Sequence, residues 1–261
     1  MKSIVNLTQQ IERIIEQSSG NISVVVEINQ QFIINKDGEQ KKSSASLIKI
    51  PIMMAAYHKV ESGEISLSDR INVKNNQKVE GSGVIQYLDE KTSLTIKDLL
   101  TLMIIVSDNT ATNLLIELVG LESIHRFNQL LGCHHTRVER KLMDYVAREK
   151  GYDNVTSASD MIKFLREIEN NQYLTSISNQ EILSILAGQQ FQHKLPAMMD
   201  LDHVFVANKT GEIPGVEHDV GIIHYGANKA YIAVLIDQLE NSYSGKDSIA
   251  RIGKVVSDYL V

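Results

Sequence analysis

The apolar residues Ile4, Leu7, Ile11, Ile14 and Ile15 recur at helical spacing, which predicts an amphipathic helix over residues 3–18. Ser18-Ser19-Gly20-Asn21 ends it. Two β-rich runs follow, Val24-Val25-Val26-Glu27-Ile28 and Gln31-Phe32-Ile33-Ile34, and Asn29-Gln30 between them predicts a hairpin. From Ser46 to about residue 190 the pattern reads as helical, with predicted helices over 47–60, 95–106, 109–119, 121–131, 159–168 and 179–186. Residues 137–156 are polar and without period, so they read as a long loop, and such loops are usually functional. Strand signals return at 204–209, 219–224 and 231–236, with Gly226-Ala227-Asn228 as a turn, and a helix over 247–260 closes the chain.

Strands therefore sit at both ends and helices between them. The expected class is α/β of the α+β kind: a five-stranded antiparallel sheet built from both chain ends, with flanking helices and an inserted all-helical lobe. Residues 1–261 form one domain in this scheme. Residues 1–43 and 191–261 make the sheet lobe, residues 44–190 the helical lobe, and the cleft between them is the expected ligand site.

Composition narrows the partners. A net charge of −6 and a pI near 5.8 argue against nucleic acid or an anionic membrane surface. There is no apolar run long enough to span a membrane. Met1-Lys2-Ser3-Ile4-Val5-Asn6 lacks the basic and apolar regions of a signal peptide, which leaves a cytoplasmic chain or a secreted one already processed. The single Cys133 excludes an intramolecular disulfide. Cys133-His134-His135 has no companions to complete a zinc set, and Gly81-Ser82-Gly83 opens no helix, so neither a metal nor a nucleotide cofactor is expected. A monomer acting on a small molecule is the expectation.

The chemistry centres on Ser46 and Lys49. Three residues apart at a helix start, they share one face, and a desolvated lysine can take the proton of a serine nucleophile. Pro51 places this pair at the helix N-terminus, because further in it would break a backbone bond. Ser107-Asp108-Asn109 and Lys209-Thr210-Gly211 follow downstream. In this order the three motifs resemble those of the class A serine β-lactamase and penicillin-binding-protein superfamily, and the resemblance covers essentially the whole chain. It implies that Ser46 is acylated, that Lys49 accepts its proton, and that Ser107 relays a proton to the leaving nitrogen. It further implies that Lys209 supports Ser107, that Asn109 and Thr210 bind substrate amide and carboxylate, and that Gly211 admits substrate close to the strand. The backbone N–H groups of Ser46 and Glu212 would form the oxyanion hole. No cofactor is required, and the implied substrate is a β-lactam or a peptidoglycan-like peptide.

Two departures qualify this. The family's loop carries Arg-x-Glu-x-x-Leu-Asn, whose Glu activates the water that releases the acyl group. Aligned on Arg140, this chain has Leu142 at the Glu and Val146 at the Asn. Asp144, Glu139 and Glu149 are the candidate substitutes, Asp144 first. Glu212 stands where a small or hydroxyl residue is common, and no arginine on residues 216–240 is available to a substrate carboxylate; His218 or His224, if protonated, are the remaining cations there. A β-lactam hydrolase is thus the leading expectation. The alternatives are a penicillin-binding or esterase-like homologue that releases its acyl group slowly, and a non-catalytic sensor of β-lactams or cell-wall fragments.

Overall fold

Two stretches far apart in sequence, 21–36 and 205–237, meet as one antiparallel sheet in the computed structural model, which describes residues 3–261. Met1 and Lys2, part of the stretch read above for a signal peptide, lie outside the described residues. The chain runs α1 (Ile4–Gln17), β1 (Asn21–Ile28), β2 (Gln31–Lys36), β3 (Lys42–Ser43), a 3₁₀ turn (Ala45–Ile48), then α2 (Lys49–Glu61). It continues through β4 (Arg70–Asn72), β5 (Ser93–Thr95), α3 (Ile96–Ile105), α4 (Asn109–Val119), α5 (Leu121–Leu130), α6 (Tyr145–Glu149) and β6 (Val155–Thr156). The last third holds α7 (Ala158–Asn170), α8 (Ser176–Ala187), β7 (Phe205–Ile213), β8 (Val216–Tyr225), β9 (Asn228–Asp237) and α9 (Ser242–Leu260).

The sheet order is β2-β1-β9-β8-β7, antiparallel throughout, so the C-terminal hairpins are stitched to the N-terminal one along β1 and β9. Both faces are covered, and alternate residues of one strand enter different cores. Val24 and Val26 of β1 and Ile232 and Val234 of β9 pack with Leu7, Ile11 and Ile14 of α1 and Ile249, Ile252 and Val256 of α9. Val25, Ala233 and Leu235 face the other way, into a cluster continuous with α2, α3, α4, α7 and α8. Burial on both faces is why these strands read as unbroken apolar runs. The β1–β2 turn places both Asn29 (φ 49°) and Gln30 (φ 68°) in the left-handed region, as a tight two-residue hairpin requires.

The expectation of an all-helical lobe from 44 to 190 fails over residues 62–95, where no helix is predicted and short 3₁₀ turns and the ribbon β4–β5 form. Its apolar residues are too sparse for a helical stripe; Val73 and Ile85 enter the core, and Ile65, Leu67, Ile71 and Leu94 pack at its rim. The long loop is also not bare. It contains α6 and β6, and β6 pairs with β3 just before Ser46. One helical turn and a two-residue strand leave no period in a sequence. Cys133 is buried, and its Sγ lies 3.6 Å from the carbonyl oxygen of Asp160.

Candidate active site

Ser46 lies in the 3₁₀ turn that runs directly into α2, and Pro51 is the third residue of that helix, where the first backbone N–H groups have no partner to lose. The turn packs against the edge strand β7. A Cβ on Gly211 would lie 3.2 Å from Leu47 Cγ and 3.3 Å from Ala45 Cβ. The glycine thus admits the Ser46 turn itself against β7, in the space the family resemblance assigns to substrate.

Lys49 is fully buried, and four acceptors surround its Nζ: Ser46 Oγ at 2.9 Å, Ser107 Oγ and Ser107 O at 2.8 Å, and Asn109 Oδ1 at 3.1 Å. Two of the four, the carbonyl and the amide oxygen, can only accept. A neutral amine has two N–H groups for them and one lone pair, which can then receive a hydroxyl hydrogen from Ser46 or Ser107. Burial, with the nearby charge of Lys209, holds the Lys49 pKa well below the usual lysine range, while Asp108 pulls the other way.

Ser107 closes the connection from α3 to α4 with φ at +55°, and Ala45 beside Ser46 has φ at +44°. Each is a non-glycine residue in the left-handed region, at a cost of about 1–3 kcal/mol. Asp108 holds the first of these. One carboxylate oxygen caps α4 by accepting from Ala111 N (2.9 Å), and the other accepts from Val84 N (2.7 Å) and Ile85 N (2.8 Å). Asn109 N donates to Ser82 O, and Asn109 Nδ2 to Glu80 O, so the Gly81-Ser82-Gly83 loop is sewn to the start of α4. A Cβ on Gly83 would fall 2.3 Å from Asp108 Cγ. Asp108→Ala would strand three N–H groups, two of them buried, and is expected to lower stability by about 3–5 kcal/mol in urea unfolding; a loss below about 1 kcal/mol would show that the loop does not depend on it.

Lys209 is fully buried. Its Nζ donates to Thr210 O at 2.7 Å and lies 3.3 Å from Ser107 Oγ, which therefore sits between two amines. Burial pushes its pKa down to about 7 against the pull of Asp219. A third buried amine, Lys194, donates to Gly211 O at 2.9 Å and pairs with Glu217. The sequence pattern offered no sign of it.

These residues open on a cleft of about 550 Å³ whose walls carry Ser46, Ser82, Ser107, Thr210 and Glu212 together with Phe191, His193, Ile213, Pro214, Gly215 and Ser242. A larger hollow of about 860 Å³ lies between α1 and the end of α9, and none of the motif residues reaches it. Asn109 is 6% exposed and absent from the wall; its Oδ1 serves Lys49 and one Nδ2 hydrogen serves Glu80. Phe191 and His193 come from the polar segment after α8, which has no pattern to single them out.

The substitute bases do not reach the cleft wall. Asp144 caps α6 by accepting from Ala147 N at 2.9 Å, Glu139 accepts from Asp153 N, and Glu149 is exposed. The loop is braced instead by Arg140 on Asp153 and by Asn154 Oδ1, which accepts from the N–H groups of Glu139 and Arg140. His218 and His224 are likewise structural. His218 is buried between the carbonyls of Glu217 and Ser43, and burial lowers its pKa to about 4. His224 pairs with Glu169. Glu212, in contrast, faces the cleft. Burial works against its charge, but the Lys246 hydrogen bond and the charges of Lys194 and Lys246 prevail and hold its carboxyl below the usual range. Among the described residues no cluster of three or more His, Cys, Asp or Glu could hold a metal, and no helix is long and apolar enough to cross a membrane.

A five-stranded antiparallel sheet flanked by helices, with a serine and two buried lysines at the cleft, defines a serine-hydrolase class. The chain belongs to the β-lactamase enzyme family, whose family model matches residues 6–260. The β-lactamase VEB-1 of Pseudomonas aeruginosa is 24% identical over 98% of this chain and 91% of its own length. A β-lactamase structure from Sphaerobacter thermophilus superposes with a TM-score of 0.89 at 27% identity, covering 99% of this chain and 98% of that one. The acyl-enzyme complex with penicillin G of a leucine-to-glutamate mutant of PBP-A superposes at 0.87 with 25% identity, covering 98% and 96%.

Proposed function

We propose that the protein reacts with β-lactams by acyl transfer to Ser46 and releases the acyl group slowly. The observation that carries this is the Lys49 amine, buried within hydrogen-bond reach of both Ser46 Oγ and Ser107 Oγ, with no carboxylate from the long loop on the cleft wall. Ser46 Oγ attacks the lactam carbonyl carbon while its proton passes to Lys49 Nζ. The lactam C–N bond then breaks, Ser107 gives its hydroxyl proton to the departing nitrogen, and Lys49 restores it, so the proton count closes. Lys209, when charged, steadies Ser107 and the developing negative charge. The N–H groups of Ser46 and Glu212 receive the carbonyl oxygen. Hydrolysis of the ester needs a water and a base, and the loop candidates are engaged elsewhere or remote. The acyl-enzyme recorded for a PBP-A mutant in a superposable structure supports the covalent step.

Rapid turnover is the second reading, favoured by relatives named as β-lactamases. Intact-protein mass spectrometry after mixing with penicillin G separates them. A one-to-one adduct that persists for hours and is absent from Ser46→Ala supports slow release. Catalytic loss of penicillin with no adduct would establish turnover, and neither adduct nor loss would remove the β-lactam chemistry.

A further inference from the structure

Thr210, itself buried, and Glu212 stand two residues apart on β7 and both line the cleft, about 7 Å apart along the strand. The cations beside Glu212 are already committed, and Lys209, fully buried, serves Ser107 Oγ and the Thr210 carbonyl. Lys246 Nζ of α9 lies 3.1 Å from Glu212 Oε1 and 3.5 Å from Glu217 Oε1. Lys194 Nζ lies 3.5 Å from Glu212 Oε2 and also pairs with Glu217. His193 Nε2 is 3.7 Å from Glu212 Oε2, and burial with the charges of Lys194 and Lys246 keeps it neutral to lower pH than usual. Two lysines thus face two glutamates, and no arginine lines the cleft among the described residues. Glu217 is nearly fully buried, as the inner partner of the lysines. Glu212 is half exposed, which makes it the carboxylate an incoming ligand meets.

We propose that the Glu212 carboxylate occupies the cleft's own anion position and biases the enzyme toward acyl donors with no free carboxylate beside the scissile bond. This rests on the acyl transfer to Ser46 proposed above. A donor anchored at the Thr210 hydroxyl by a carboxylate would bring a second negative charge next to Glu212, with Lys194 and Lys246 already neutralised. A donor in which that carboxylate is esterified meets no such opposition. This gives a physical role to an acidic residue placed next to the expected oxyanion donor: it repels one class of substrate.

The test compares second-order acylation rates of penicillin G and its methyl ester, read by intact-protein mass, in wild type, Glu212→Gln and Lys246→Met. Glutamine keeps the size of the side chain and one acceptor oxygen but removes the charge that holds the lysines, so the acid-to-ester rate ratio is expected to rise roughly 10-fold or more. Removing Lys246 leaves Glu212 less compensated, so the ratio is expected to fall about threefold or more. Because each variant is judged by a ratio on one folded sample, a general loss of activity does not mimic the result. A ratio that stays within about twofold in both variants, or moves in the opposite sense, overturns the proposal. If wild type neither forms an adduct with either compound nor consumes it, Ser46 acylation itself fails, and the inference falls with it before any variant is compared; if it consumes them without an adduct, the same ratio is read from kcat/KM for substrate loss.

Discussion

Lys49→Met is expected to slow formation of the Ser46 adduct by roughly 10³-fold, the scale of a lost general base, while the protein stays folded. Methionine fills similar volume without a charge, and the burial of the original amine was itself unfavourable to a charge. The pH profile carries the diagnostic. The Lys49 pKa lies below the usual lysine range, and only the neutral amine can accept the Ser46 proton. The wild-type rate should therefore fall as pH drops through that lowered pKa, and this limb should disappear in Lys49→Met. Lys209 acts with the opposite sign. Its charge supports Ser107 and is lost as pH rises through about 7, so a descending alkaline limb should persist in the Lys49 variant. Two amines that share Ser107 titrate as a pair, and the limbs report their joint behaviour. Stopped-flow acylation across pH 5–9 (about the range set by these groups) would settle it. An unchanged rate in Lys49→Met would exclude this lysine as the base.

Leu142→Glu is expected to hasten release of the acyl group by roughly 10²-fold or more, turning a persistent adduct into a transient one. The main chain at Leu142 is held from outside the loop: its N–H donates to Asn113 Oδ1 at 2.7 Å and its carbonyl accepts from Asn113 Nδ2 at 3.1 Å. The side chain is half-buried at the rim of the core. A new carboxylate can therefore be introduced without removing what holds the loop. The decay of the penicilloyl adduct, followed by mass after excess penicillin is removed, is the measurement. If the adduct decays no faster, the missing step does not lie at this position.

The motifs proposed to carry the chemistry were legible because they are short, spaced and local. Ser46 and Lys49 sit one turn apart, and Asp108 announces the cap of α4 directly after Ser107. The strands were legible because β1, β8 and β9 are buried on both faces. Sequence reasoning assigned Gly211 to substrate access, whereas the packing of Leu47 and Ala45 against it makes it a contact between two elements. It also missed Lys194, Phe191 and His193, which lie in a segment of no periodicity and gain meaning only when β7 and α9 come beside them. The loop bases were plausible by number alone; the cap on Asp144 and the pairing of Glu139 with Asp153 N depend on where the chain turns.

The chain alone determined the family and the strand–helix–strand order, and it singled out Ser46, Lys49, Ser107 and Lys209 as candidate site residues, because motif spacing and hydrophobic period are one-dimensional properties. Only the tertiary structure decided the electrostatics. It buried three lysines within one site, set Ser107 Oγ between two of them, and placed Glu212 opposite Lys246 from a helix more than thirty positions away in the sequence. Desolvation and charge pairing depend on distances across the fold, and no local pattern of residues encodes those distances.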